Sequence, residues 1–191
     1  EKNPELFQRF KNIIQHTISV KKGVKNSLLV VDMPKGTYSN SILAKKNAKH
    51  IMRLTKCDAV KIESNGRNFN IIKELVKIKI PVMGHIGFTP QFKNNFKIEG
   101  DSKKKAIKLL KEAQNVEKSG AFSIVLECIS PLSSKLITKN LNIPVSKIIL
   151  IDFGGFKKET KLFNYRHISI GHIYDSAYLA KIYSMADCVI V

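Results

Sequence analysis

The residues of this chain that could do chemistry stand at the ends of short apolar runs. Asp32 closes S-L-L-V-V-D, Lys61 and Glu63 lie two apart in D-A-V-K-I-E-S, His85 sits between glycines in I-P-V-M-G-H-I-G-F-T-P-Q, and Glu127 ends S-I-V-L-E. Glu127 is set among Ile124, Val125, Leu126 and Cys128, and burial there is expected to raise its pKa and suit it to general-base work. Asp32 and Glu63, with water and a chelating substrate, suit a hard oxygen-seeking ion such as magnesium. A metal, a lysine and a separate carboxylate base are together the equipment of enolate chemistry. Each residue also has a plainer reading. Asp32 before Met-Pro fits a turn or cap. Lys61 and Glu63 share one face of a strand and could simply pair with each other. His85 could be a satisfied structural residue, its flanking glycines letting the backbone turn sharply.

The elements that must position these residues alternate along the chain. S-L-L-V-V-D-M-P (27–34) reads as a buried strand, S-N-S-I-L-A-K-K-N-A-K-H-I-M-R-L-T as a helix with a serine at its start, and D-A-V-K-I-E-S as a second strand. N-F-N-I-I-K-E-L-V-K-I-K is the next helix and I-P-V-M-G-H-I-G the next strand. A long helix over Asp101–Ser119 leads into the strand A-F-S-I-V-L-E-C-I-S and the short helix P-L-S-S-K-L-I-T-K-N-L-N. Strands apolar on both faces and separated by helices predict a parallel sheet covered by helices, an α/β domain. No G-x-G-x-x-G or G-x-x-x-x-G-K-[ST] follows any strand, so a nucleotide fold has no motif behind it. Polar residues at the carboxyl ends of successive strands are instead the habit of a (β/α)8 TIM-type barrel.

Composition narrows the function classes. The 191 residues, 43% of them hydrophobic, suffice for one domain with a real core. No apolar stretch approaches the roughly 18 residues of a membrane span, and the charged start E-K-N-P-E-L-F-Q-R-F is unlike a signal peptide, so a cytoplasmic, membrane-free protein is expected. Cys57, Cys128 and Cys188 are far apart and read as reduced core residues. His16, His50, His85, His167 and His172 show no zinc-type spacing. The net charge of +18 comes mainly from lysines scattered over helix faces, as in D-S-K-K-K-A-I-K-L-L-K-E-A-Q. Weak attraction to polyanions follows from that charge, but no stripe with stacking aromatics marks a specific nucleic-acid site.

Four segments, L-L-V-V-D-M-P-K-G-T-Y, A-V-K-I-E-S, I-P-V-M-G-H-I-G-F-T-P-Q and G-A-F-S-I-V-L-E-C-I-S, resemble in order and spacing the signature segments of the ketopantoate (3-methyl-2-oxobutanoate) hydroxymethyltransferase family of pantothenate biosynthesis. The resemblance runs from about His16 to Val145. It implies that Asp32 and Glu63 bind Mg2+, that Asp32, Lys61 and His85 face the oxo-acid substrate, and that Glu127 is the general base. The implied reaction transfers a hydroxymethyl group from 5,10-methylenetetrahydrofolate, the co-substrate, to 3-methyl-2-oxobutanoate. It also implies small-molecule partners and a homo-oligomer, the family's decamer.

The tail from Phe156 to Val191 resembles the beginning of the family instead: a helix, a first strand ending at Tyr174-Asp175, a helix, and a second strand over Asp187–Val191. In the family that second strand continues into G-D-S-L-G, which holds metal and substrate; here the sequence ends at Val191. After N-I-P-V no seventh or eighth strand of the family is evident, and S-K-I-I-L-I-D-F fits better as the approach to the first helix, so a seam falls near Val145 and Ser146. Moving the first two units of a closed barrel to the end keeps cyclic neighbours. The expectation is one domain over 1–191, a TIM-type barrel that is incomplete or has its segments in permuted order. The amphipathic segment Glu1–Gln15 has no counterpart in this pattern and is expected to pack somewhere on the surface. Two other readings compete: a catalytically inactive basic relative acting as a scaffold or RNA-associated protein, and a magnesium enolate enzyme for a different 2-oxo acid.

Overall fold

The computed structural model describes residues 3–95, 97–146, 151–152, 168–169 and 188–191. In chain order the elements are α1 (Pro4–Gly23), β1 (Leu28–Asp32), α2 (Ser41–Thr55), β2 (Ala59–Glu63), α3 (Phe69–Lys77), β3 (Val82–Gly87), α4 (Lys103–Lys118), β4 (Ser123–Glu127), α5 (Pro131–Lys139) and β5 (Val145–Ser146), then the short strands β6 (Ile151–Asp152), β7 (Ile168–Ser169) and β8 (Cys188–Ile190). Each expected strand and helix over residues 27–142 is present, with ends that move by a few residues. The serine expected at the head of α2 is not its cap: Asn40 is, its side chain accepting from the Leu43 N–H at 2.9 Å. Of the segment 1–15, residues 4–15 form more than half of α1, capped by Asn3 with Pro4 in the first turn, where its missing N–H costs nothing.

The main sheet is parallel and curled, with strand order β5-β4-β3-β2-β1-β8. Consecutive strands therefore lie side by side, as right-handed β-α-β units require. The tail contributes directly: Cys188–Ile190 pairs parallel with β1, Leu28 opposite Cys188 and Val30 opposite Ile190. The strand expected at Tyr174-Asp175 lies outside the described residues. β6 and β7 pair with each other in a separate two-stranded sheet. Among the described residues no helix is long and apolar enough to cross a membrane.

Alternation along the strands sorts side chains onto two faces. Leu29, Val31, Val60, Ile62, Val82, Ile86, Ile124 and Leu126 join the large core beneath the helices. Helix α4 supplies Leu109, Ala113 and Val116 to it at helical spacing, and turns its lysines outward. The other face carries a small separate cluster of Val30, Ala59, Met83 and Val125. One step further along each strand, that same face bears Asp32, Lys61, His85 and Glu127. The inner face is thus apolar at its base and charged at the carboxyl ends of its strands.

The glycines flanking His85 do not make a turn. Gly84 and Gly87 both belong to β3, which runs unbroken through His85. Gly84 is needed because a Cβ there would collide with the Val116 side chain of α4, and Gly87 because it adopts φ +96° with the Glu127 carbonyl against it. The first glycine lets helix and sheet approach; the second lets the chain leave the strand.

Candidate active site

The register of the sheet brings the sequence-expected residues together. Asp32 pairs with Lys61 across β1 and β2, Glu63 with His85 across β2 and β3, and Gly87 with Glu127 across β3 and β4. Lys61, at 5% exposure, and Glu63 and His85, at 1% each, are buried, whereas the Asp32 and Glu127 side chains at the strand ends keep 29% and 28%. Glu127 is therefore not the buried carboxylate expected from its apolar neighbours. Ile124 and Leu126 turn to the helix side, so the surroundings read from the sequence are not those of the carboxylate.

Lys61 organises the cluster. Its Nζ lies 2.7 Å from Asp32 Oδ2, 3.2 Å from His85 Nδ1 and 4.0 Å from Glu63 Oε1. The expected pairing of Lys61 with Glu63 is present at 4.0 Å, but the closer partner is Asp32 on the neighbouring strand. An ammonium only donates, so His85 Nδ1 accepts and the ring proton sits on Nε2. Burial lowers the His85 pKa, which keeps the ring neutral, with the Glu127 carboxylate pulling the other way. Nε2 lies 3.1 Å from Glu127 Oε2, within reach of charge attraction but without the alignment of a formed hydrogen bond. Thr89 Oγ1, also buried, is likewise without a hydrogen-bond partner.

The carboxylate that burial perturbs is Glu63. Desolvation pushes its pKa up to about 7, against the opposing pull of the Gln91 backbone N–H and of Lys61. Folding thus favours its neutral form. That contribution to stability is complete below the ordinary value of 4.5 and is lost as pH rises to about 7. The metal-free protein is expected to lose on the order of 3 kcal/mol from this group across that window, and Glu63→Gln to remove the slope. Urea unfolding of both proteins at pH 5 and pH 8 measures the difference; parallel pH dependence in the two would assign the slope elsewhere.

Two residues that carried no chemistry in the sequence complete the site. The Tyr38 hydroxyl donates to Gln91 Oε1 at 2.6 Å, and the Gln91 backbone N–H donates to Glu63 Oε2 at 2.9 Å. Burial and the nearby Glu63 and Asp32 carboxylates hold the Tyr38 hydroxyl well above its ordinary pKa, so it remains a donor. Both residues lie inside the resembling segments, G-T-Y and T-P-Q, but nothing in their spacing shows that two loops meet.

Five ionisable side chains from four adjacent strands therefore converge on one face: two carboxylates flanking an ammonium, and a neutral imidazole between that ammonium and a third carboxylate. Such a face offers carboxylate oxygens to a cation or a proton and an ammonium to an anionic group.

Comparison with known proteins bears on what such a site is for. The profile of a family described as ketopantoate hydroxymethyltransferase matches residues 6–149, a stretch that takes in the four motifs and all but the start of α1, so the segment before His16, expected to have no counterpart in the family, has one from residue 6 onward. The chain is similar to proteins named 3-methyl-2-oxobutanoate hydroxymethyltransferase from Pelagibacter ubique (48% identity, 69% of this chain, 51% of the relative) and Clostridium botulinum strain Alaska E43 (46%, 69% and 50%). A protein of that name from Aliarcobacter butzleri is 42% identical over 70% of this chain and 51% of its own length. The chain spans about half the length of the curated relatives it matches. With its four strand-end motifs inside the matched stretch of residues 6–149, the chain belongs to the ketopantoate hydroxymethyltransferase family.

Proposed function

We propose that this chain carries the site for hydroxymethyl transfer from 5,10-methylenetetrahydrofolate to 3-methyl-2-oxobutanoate, giving ketopantoate and tetrahydrofolate. The observation that supports it most is the placement of Lys61 Nζ 2.7 Å from Asp32 and 3.2 Å from His85, with Glu127 beyond the imidazole. Family membership and the names of the relatives support the same reading. We infer further that the curled sheet is part of a TIM-type barrel, since its helices cover one face and its polar groups gather at the strand carboxyl ends. A single domain over 1–191, the family's decamer and a cytoplasmic location belong to this proposal.

The residues fit a magnesium ion. Asp32 and Glu63 offer hard oxygen donors on one face, and Mg2+ is commonly held by one or two carboxylates with substrate oxygens and waters. Among the described residues no set of three or more His, Cys, Asp or Glu side chains forms a metal cluster, so substrate and water would complete the shell. The ion, when bound, would supply Lewis-acid polarisation of the substrate's oxo group.

The remaining steps belong to the chain's own groups. Lys61 orients the oxo acid and sets positive charge beside the oxygen that becomes negative as the enolate forms. Glu127, partly exposed at the end of its strand, takes the proton from the carbon next to the ketone. His85 presents Nε2–H towards Glu127 Oε2, 3.1 Å away. The two carbon–nitrogen bonds of the folate's methylene carbon are replaced by a bond to the enolate carbon and a bond to the oxygen of a water molecule, and the two nitrogens take up the proton from the substrate and one from that water as tetrahydrofolate leaves. An inactive basic scaffold is a poorer reading, because burying Lys61 and Glu63 costs stability that a scaffold has no reason to give up.

The test is proton NMR of 3-methyl-2-oxobutanoate in deuterated buffer with the full chain, with and without magnesium and without folate. Magnesium-dependent loss of the carbon-3 proton signal is expected. No exchange in a folded sample would reject the assignment and move the scaffold reading ahead.

A further inference from the structure

Gln91 has no role in the chemistry above, yet three segments are tied together through it. Its backbone N–H donates to Glu63 Oε2 at 2.9 Å and its Nε2 donates to the Met33 carbonyl at 3.0 Å, lying 3.5 Å from Asp32 Oδ1. Its Oε1 accepts the Tyr38 hydroxyl at 2.6 Å. Every polar atom of this residue's amide side chain is committed, and all its partners belong to the loops or strand ends that carry Asp32 and Glu63.

The loop that presents it is itself anchored. The Phe88 N–H donates to the Glu127 carbonyl at 2.8 Å, the Glu99 N–H to the Cys128 carbonyl at 2.7 Å, and the Lys93 ammonium to the Gly87 carbonyl at 2.7 Å. Phe92 stands edge-on to Tyr38 with ring centres 6.4 Å apart. A side chain held on both sides in this way transmits position.

Such a brace is needed here. The strands fix the Cα atoms of Asp32 and Glu63 but not their side-chain torsions, and Lys61 draws Asp32 Oδ2 to itself at 2.7 Å while like charge drives the two carboxylates apart. Gln91 gives its backbone N–H to Glu63 and its amide nitrogen to the Met33 carbonyl beside Asp32, so the side chain fixes where that N–H stands. We propose that Gln91 is a positioning residue that sets the relative placement of Asp32 and Glu63, and through it the affinity of that pair for a divalent cation. The inference rests on the reading of Asp32 and Glu63 as a cation-holding pair.

Mn2+ is the probe, with free ion counted by electron paramagnetic resonance during titration of the full chain, and circular dichroism melts run alongside. Wild type is expected to bind Mn2+, and Gln91→Met, which keeps the bulk and the backbone N–H on Glu63 but loses the amide's hydrogen bonds to the Met33 carbonyl and Tyr38 that fix the loop, to bind it about tenfold more weakly with its melt little changed. Tyr38→Phe, which frees only Oε1, should give a smaller loss, about threefold. Equal affinity of Gln91→Met and wild type overturns the inference and leaves the carboxylate-pair reading standing. If Gln91→Met does not fold, Tyr38→Phe decides, and wild-type affinity there overturns the inference. No Mn2+ binding by folded wild type rejects the carboxylate pair, and the role of Gln91 falls with it.

Discussion

Glu127→Gln is expected to slow magnesium-dependent exchange of the carbon-3 proton by about a thousandfold, while affinity for 3-methyl-2-oxobutanoate changes little. The amide keeps the shape and an acceptor oxygen for His85 Nε2, which lies 3.1 Å from Glu127 Oε2. What it loses is the ability to take a proton. Because the side chain is 28% exposed at a strand end, the change should leave folding within about 0.5 kcal/mol of wild type. Exchange rates by NMR and oxo-acid binding by calorimetry separate the possibilities. Equal losses in both would make Glu127 a binding group rather than the base.

Lys61→Met should be as damaging to exchange, by about two to three orders of magnitude, and should also cost stability. The variant keeps most of the buried stem and removes the charge that sits between Asp32, Glu63 and His85. Breaking a fully buried pair costs about 3–5 kcal/mol. Here Asp32 is 29% exposed and solvent screens it, and Glu63, already pushed up to about 7, can take up a proton, so about 1–3 kcal/mol is expected at pH 8. The sign with pH is fixed. Lys61 stabilises the ionised form of Glu63, so the gap between variant and wild type should be widest where Glu63 is ionised and narrow as pH falls below about 7. Denaturant unfolding at pH 8 and pH 5 measures it, and an unchanged gap would mean that Lys61 contributes only the packing of its stem.

These effects were partly legible before any coordinates. The alternation of buried runs with amphipathic stretches specifies strands and helices locally, since periods of 2 and 3.6 are properties of the chain itself. Lys61 and Glu63, two apart in a strand, had to share a face for the same reason. Asp32, Lys61, Glu63, His85 and Glu127 could all be named because each closes, or stands within, a run that has no other use for a polar side chain.

Pairing and depth were not legible. That Lys61 lies closer to Asp32 than to Glu63 follows from register between β1 and β2, which no local pattern encodes. That Glu63, not Glu127, bears the desolvation follows from position along the curled sheet: Glu63 accepts from the Gln91 N–H of the overlying loop and is 1% exposed, while Glu127 ends its strand with 28% of its side chain exposed. Gly84 looked like turn chemistry and is instead the space left for Val116 of α4. The placing of the tail strand Cys188–Ile190 beside β1 is likewise a choice among sheet edges. Sequence alone determined which elements form and which residues could do chemistry, because those depend on neighbours along the chain. Tertiary structure decided partners, burial and therefore charge state, because these depend on groups brought close from tens of residues away.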